Sequence, residues 1–458
     1  MRNDSNRRPV GSLFAELNKR WGMFPNQTTL GSYDYFSQSV RLHNVRPDHL
    51  DALNGEAFGS LAAAQGLKKF VPVSQHEYAH WMDMNCTLYG LRVLKELALS
   101  FHFNPDLHRE ANNAEPHFYH AKKVSDSIKQ IRLPNYYSVN FDIEARRPWK
   151  YQVSIGHGFD TAGRPNSDPI VFLRFASETE QPIARQPLSL ASILEANATY
   201  NEMLAVITAN SLIVDSDERM IEEKGDRQSI IDQVYDPNLT LYSVSAHMCA
   251  SAGHIDDISA AYKAAAILSR FVLNIPKSCF SNFQAKRVFV SQVGSEFSKR
   301  IEKSVRRGNM ESLFFYAATI LDWENTDLLD PENDLANLSQ ICFGLDLEEL
   351  RGKIDAEAKK ITAEISATRF PDAELLAGAS LENCAMVIRS RSAGYSFGSL
   401  HLPPCFLSND EEMIVTVPND KNKLANLAIT DRFYSLYDNE NWIRKFSEAC
   451  YPRQELFG

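Results

Sequence analysis

Pro72-Val73-Ser74-Gln75-His76-Glu77-Tyr78-Ala79-His80-Trp81-Met82-Asp83 is the stretch from which the rest of the chain is read. It contains His-Glu-x-x-His, a pattern in which two histidines share a metal ion and the glutamate handles a proton. Successive residues of a helix turn about 100°, so His76 and His80 stand one turn apart and about 40° from each other. Two imidazoles placed in this way can grip a single ion. Glu77 lies about 100° to one side, near enough to reach a water on that ion without ligating it. Asp83 and Thr87 return to the histidine face, where they are suited to hold imidazole N–H groups and fix the tautomer.

The bland alternative is an amphipathic core helix carrying two satisfied histidines. With 12 histidines in 458 residues, a chance match to the motif is expected in roughly one such chain in a hundred. The residues around the motif (Val73, Ser74, Gln75, Tyr78, Ala79, Trp81 and Met82) are uncharged, as a buried metal-bearing helix requires. A separate packing stripe, Tyr78, Met82, Tyr89 and Val93, means that the histidines are not needed to fill a core. Glu77 has one competing role, because Ser74-x-x-Glu77 also reads as a capping box. Pro72 and Val73 permit a helix that starts earlier.

The segment resembles the active-site helix of the zincin metallopeptidases, including their uncharged flanks. The resemblance covers about a dozen residues and implies His76 and His80 as zinc ligands with Glu77 as general base. The longer metzincin pattern fails, since Asp83 stands at its glycine position and Cys86 at its third histidine. The third ligand must lie elsewhere.

The composition bounds the function classes. At 458 residues the chain can hold two or three domains, or one enzyme core with a helical elaboration. Its 44% apolar and 23% charged residues are the balance of an ordinary soluble globular protein. A net charge of −10 argues against a general nucleic-acid surface, which needs clustered cations. Seven singly scattered cysteines fit a reducing compartment. The polar N-terminus leads into no apolar signal core, and no run is long and apolar enough to span a bilayer. A cytoplasmic location is expected, or export without a cleaved signal.

Outward from the motif, residues 1–70 read as a polar leader with short helical pieces at 12–17 and 51–67. The motif helix is expected to run from 72 to 101, with Gly90 marking close approach of another backbone or a substrate. Residues 104–120 are polar and hold His108, His117 and His120, more simply surface histidines than ligands. Period-two patterns at 136–143, 151–155 and 170–175 predict a three-stranded antiparallel sheet whose edge can hold an extended peptide by strand addition. Next comes a helix from 188, flanked by small residues and carrying Glu195 and Glu202 on one face. By resemblance to the glutamate-type zincins, the gluzincins, Glu195 is the expected third ligand, with Glu202 and then Asp83 in reserve. A helix-start carboxylate serving only the macrodipole is the alternative for Glu195.

The remainder reads as helical. His247 and His254 lie on a long apolar stretch, 241–273, either as oxyanion donors or, more simply, as satisfied core residues. A short strand at 415–420 and a final helix near 442–450 close the chain. The expectation is an α+β, predominantly helical protein. Its domains are an N-terminal segment (1–70), a zincin-like metallopeptidase core of motif helix, small sheet and glutamate helix (71–214), and a helical C-terminal region (215–458). The expected activity is hydrolysis of peptide bonds by water on one Zn2+ per chain, held by His76, His80 and Glu195. The expected partners are a protein or peptide substrate and a regulatory partner on the C-terminal helices, with no nucleic acid and no membrane. The competing classes are a helical scaffold with a structural or vestigial metal and a metallohydrolase acting on another bond.

Overall fold

The structure, a computed structural model, describes residues 30–35, 38–43, 45–46, 57, 59–101, 119–120, 123–124, 126–127, 131, 133–141, 146–159, 163–321, 331–368, 371–403, 405–408, 413–416 and 423–424. The chain order begins with strands β1 (Gly31–Asp34) and β2 (Ser39–Leu42) and helices α1 (Leu61–Lys68), α2 (Val71–Asn85) and α3 (Leu88–Phe101). Strands β3 (Val139–Asn140), β4 (Lys150–Phe159), β5 (Pro165–Ala176) and β6 (Pro182–Pro187) follow. Helices α4 (Leu190–Ser211), α5 (Ser216–Val234), α6 (Thr240–Gly253), α7 (Ile258–Leu273) and α8 (Lys277–Ser281) come next. Then come α9 (Arg287–Val293), α10 (Ser295–Arg306), α11 (Met310–Ile320), α12 (Pro331–Phe343), α13 (Leu347–Ser366) and α14 (Pro371–Ile388), before β7 (Cys405–Ser408) and β8 (Met413–Thr416). The described protein is therefore predominantly helical with two small sheets. None of its helices is long and apolar enough to cross a membrane. The six described cysteines are buried, and none of them forms a disulfide.

The described residues fall into two compact units, one within 1–81, 202–223 and 397–458, the other within 82–201 and 224–396. Three of the four unit boundaries pass through the continuous helices α2, α4 and α5. In the first unit, the sheet has the order β1-β2-β7-β8, with β2 parallel to β7 and the other pairs antiparallel. Val40 and Leu42 are buried on either side of half-buried Arg41, the alternation that a one-sided sheet requires. Ser60 caps α1 by accepting from the Ala63 N–H, and Lys68 and Gln65 of that helix bind Glu222 of α5.

In the second unit the sheet is antiparallel throughout, in the order β3-β6-β5-β4. Its long pair registers Tyr151 opposite Phe175 and Val153 opposite Leu173. Among the helices, α7 packs on α6 and α11 and buries Ile267, Leu268 and Phe271. Each such side chain contributes roughly 1.5–3 kcal/mol of burial. Helix α13 packs on α14 and α3, and Arg92 and Lys95 of α3 pair with Glu357 and Glu364 of α13.

The structure corrects four local expectations. The sheet has a fourth strand, β6, and it lies between β3 and β5. The 136–143 segment opens as a 3-10 turn over Asn135–Tyr137, which leaves two residues of strand. The motif helix does not run on to 101. It breaks after Asn85, because Thr87 donates to the Asp83 carbonyl at 2.6 Å and accepts from the Gly90 N–H at 3.1 Å, ending one helix and capping the next. Gly90 makes this turn possible: a Cβ there would sit 2.3 Å from the Met84 carbonyl carbon. The close approach expected of Gly90 is thus to the chain's own preceding helix. The stretch 241–273 likewise divides at His254, which is left-handed with φ 49, and Asp257 caps α7. The predicted pieces at 12–17 and 442–450, together with His108 and His117, lie outside the described residues.

Candidate metal centre

Helix α2 begins at Val71, and the Ser74 hydroxyl donates to the Val71 carbonyl at 2.8 Å. Ser74 is therefore inside the helix, and the capping-box role for Glu77, which needs Ser74 at the N-cap, does not hold. From Glu77 to Leu88 every residue is buried. His76 is half-buried and His80 buried, with ring centroids 4.9 Å apart and planes at 79°.

Helix α4 supplies the carboxylates. Its start is stapled by Ser189 and Ser192, each hydroxyl accepting from the other residue's N–H. Small residues Ala191, Ala196 and Ala198 are fully buried, which allows close helix packing. Buried Glu195 projects from this surface, and the ligating atoms of His76, His80 and Glu195 lie within 4.8 Å of one another. Two imidazoles and one carboxylate at this spacing could hold a metal ion.

Two helical turns further on, Glu202 accepts from His76 Nδ1 at 3.0 Å. Donation from Nδ1 fixes the tautomer whose lone pair sits on Nε2, and it raises the basicity of that nitrogen. Glu202, a reserve ligand in the sequence reading, is here the carboxylate that orients a histidine.

Asp83, the other reserve, is committed to a buried polar network. Asn197 Nδ2 donates to both of its oxygens, at 2.9 and 3.0 Å, and the Tyr395 phenol donates to it at 2.6 Å. Asn201 ties in by donating to the Asn197 carbonyl and accepting from the Tyr395 N–H. Arg270 holds the carbonyls of Ser390 and Ser392 at 2.8 and 2.9 Å, which anchors the segment that presents Tyr395. Burial raises the Asp83 carboxyl to about 7 against the opposing pull of its donors. Burial and the adjacent Asp83 charge push the Tyr395 phenol well up.

Glu77 packs against strand β1. A Cβ on Gly31 would fall 2.9 Å from Glu77 Cγ and 3.1 Å from its Oε1. Only glycine allows the strand this close. Thr87, expected to hold an imidazole, is the cap described above. His247 is a core residue: its ring sits 5.0 Å from Phe175 and 5.6 Å from Tyr235, and burial lowers it to about 4. His120 pairs with Glu96 at 2.6 Å.

Sequence reasoning missed Asn197, Asn201, Tyr395 and Gly31. The two asparagines carried a signal, since they are amides at helical spacing beside Glu195 in an otherwise apolar helix. Tyr395 carried none. No family model, curated protein or solved structure matches this chain.

Proposed function

We propose that the chain is a zinc-dependent endopeptidase with a zincin-like core of the gluzincin type, acting in the cytoplasm on protein or peptide substrates. The observation that carries this reading is the convergence of His76, His80 and Glu195 from two helices within 4.8 Å, with Glu77 on the same helix as the histidines. A zinc ion held there would polarise a peptide carbonyl and bring the pKa of a water towards neutrality.

The residues of the chain divide the remaining work. Glu77 takes the proton of the attacking water and returns it to the leaving amine. Glu202 keeps the His76 ring in its ligating tautomer. Gly31 leaves the Glu77 carboxylate the space that its position needs. The pair Asp83–Asn197 keeps α2 and α4 at the separation that the ligand set requires.

The test compares the wild type and Glu77→Gln, both loaded with zinc, on an unbiased peptide library. The expected result is one zinc per chain in both proteins and cleavage by the wild type alone. Cleavage by Glu77→Gln would remove Glu77 from the mechanism. Stoichiometric zinc with no cleavage by either protein would favour a scaffold with a structural metal. Hydrolysis of esters or other small substrates without peptide cleavage would favour a different metallohydrolase.

A further inference from the structure

The second unit contains a cavity of about 460 Å3, within the size range of small-molecule sites. Tyr89, Tyr136, Tyr137 and Phe159 contribute aromatic surface to it. Tyr136 and Phe159 are exposed, and Tyr136 stacks at a tilt on Tyr137 with centroids 4.4 Å apart. The Tyr137 hydroxyl accepts from the Phe159 N–H at 2.9 Å, which fixes these two walls relative to each other. Ile170, Leu188 and Met310 add aliphatic surface.

Three charged side chains reach the cavity: Asp168, Arg307 and Glu311. Arg307 donates to Asp168 at 3.2 Å, so that cation and that anion face each other. Glu311 is half-buried in the first turn of α11. It accepts from the Leu190 N–H at 3.1 Å and from its own amide, neither of which carries charge. A carboxylate held by neutral amides and aromatic rings lining one cavity together suit an organic cation: the ring quadrupoles and the carboxylate attract the same charge.

We propose that this cavity binds an organic cation, an ammonium or alkylated ammonium group on an apolar body, with Glu311 as its counter-charge and Tyr136, Tyr137 and Phe159 around it. The burial that raises the Glu311 carboxyl is relieved when a cation arrives beside it. Because Glu311 also holds the first amide of α4, the occupant touches the start of the helix that carries Glu195. The site itself does not depend on the metal reading.

The test uses calorimetric titration of the full chain, without added metal, with 2-phenylethylammonium and benzyltrimethylammonium. The uncharged 2-phenylethanol and the anionic 3-phenylpropanoate serve as matched controls. The expected result is binding of at least one cation at least about tenfold tighter than either control. Glu311→Gln, which keeps the shape and the acceptor for Leu190, should weaken that cation by about tenfold. Tyr136→Ala, at an exposed position, should weaken it severalfold and keeps the test open if Glu311→Gln fails to fold. Failure of both cations to bind, equal or tighter binding of the anion, or unchanged affinity in both variants would overturn the proposal.

Discussion

Asn197 places a single side-chain nitrogen between the two carboxylate oxygens of Asp83, at 2.9 and 3.0 Å. The contact joins α2 to α4 three residues after His80 and two residues after Glu195. The helix-to-helix distance that brings two imidazoles to a carboxylate is thus held by a neutral amide on an acid, buried where neither group can turn to water instead.

Asn197→Ala should therefore act twice. Leaving Asp83 short of a donor costs about 1–3 kcal/mol of stability, read from urea denaturation of the metal-free protein. Metal affinity, read by competition with a chelator, should fall as well. Lost stability with unchanged affinity would show that the pair serves the fold alone.

Glu202→Ala removes the acceptor of His76 Nδ1 and frees the ring to rotate. Metal affinity should drop about 10- to 100-fold, the usual cost of losing such a partner. Stability of the metal-free protein should change little, because Glu202 is partly exposed.

Gly31→Ala puts a methyl group against Val73 Cγ1 and against Glu77 Cγ and Oε1. The side chain must swing aside, so peptide hydrolysis should fall while bound metal stays stoichiometric. Loss of metal in this variant would mean that the strand supports the ligands and not the base.

Zinc should raise the melting temperature of the wild type. At a free concentration a hundredfold above Kd the added stability is about 2.7 kcal/mol. Glu195→Ala should show little of this gain. An equal gain in Glu195→Ala and a smaller one in Glu202→Ala would exchange the roles of the two glutamates.

His247 gives the fold a pH dependence of predictable sign. Burial lowers its pKa from 6.5 to about 4, so the unfolded chain takes up a proton in that interval and the native state does not. The stability contributed by the neutral ring is complete above about 6.5 and is lost as the pH falls towards 4, by on the order of 3 kcal/mol. His247→Phe keeps an aromatic ring beside Phe175 and Tyr235, so its stability should vary less between these pH values. An unchanged pH profile would show that other groups dominate.

The histidine half of the candidate site was legible because it lies within one helical turn. The rise and twist of a helix put His76 over His80 and Glu77 to the side wherever the helix is packed. The small residues around Glu195 marked a close helix contact, whereas the polar face that Asn197 and Asn201 form beside it went unread. The break after Asn85 was harder to see, since Gly90 reads as a weak helix position until Thr87 is found serving both helix ends.

The linear pattern determined that two imidazoles and a carboxylate share a turn, and that a second helix offers two more carboxylates on one face. Only the packed chain decided that Glu195 joins the histidines, that Glu202 takes Nδ1 of His76, and that Asp83 belongs to Asn197 and Tyr395. The reason is one of range. Backbone geometry within a helix is local, whereas the choice among three similar acids depends on which turn of α4 meets α2. That choice rests on contacts hundreds of residues apart in the sequence, and on the need for every buried polar group near them to find a partner.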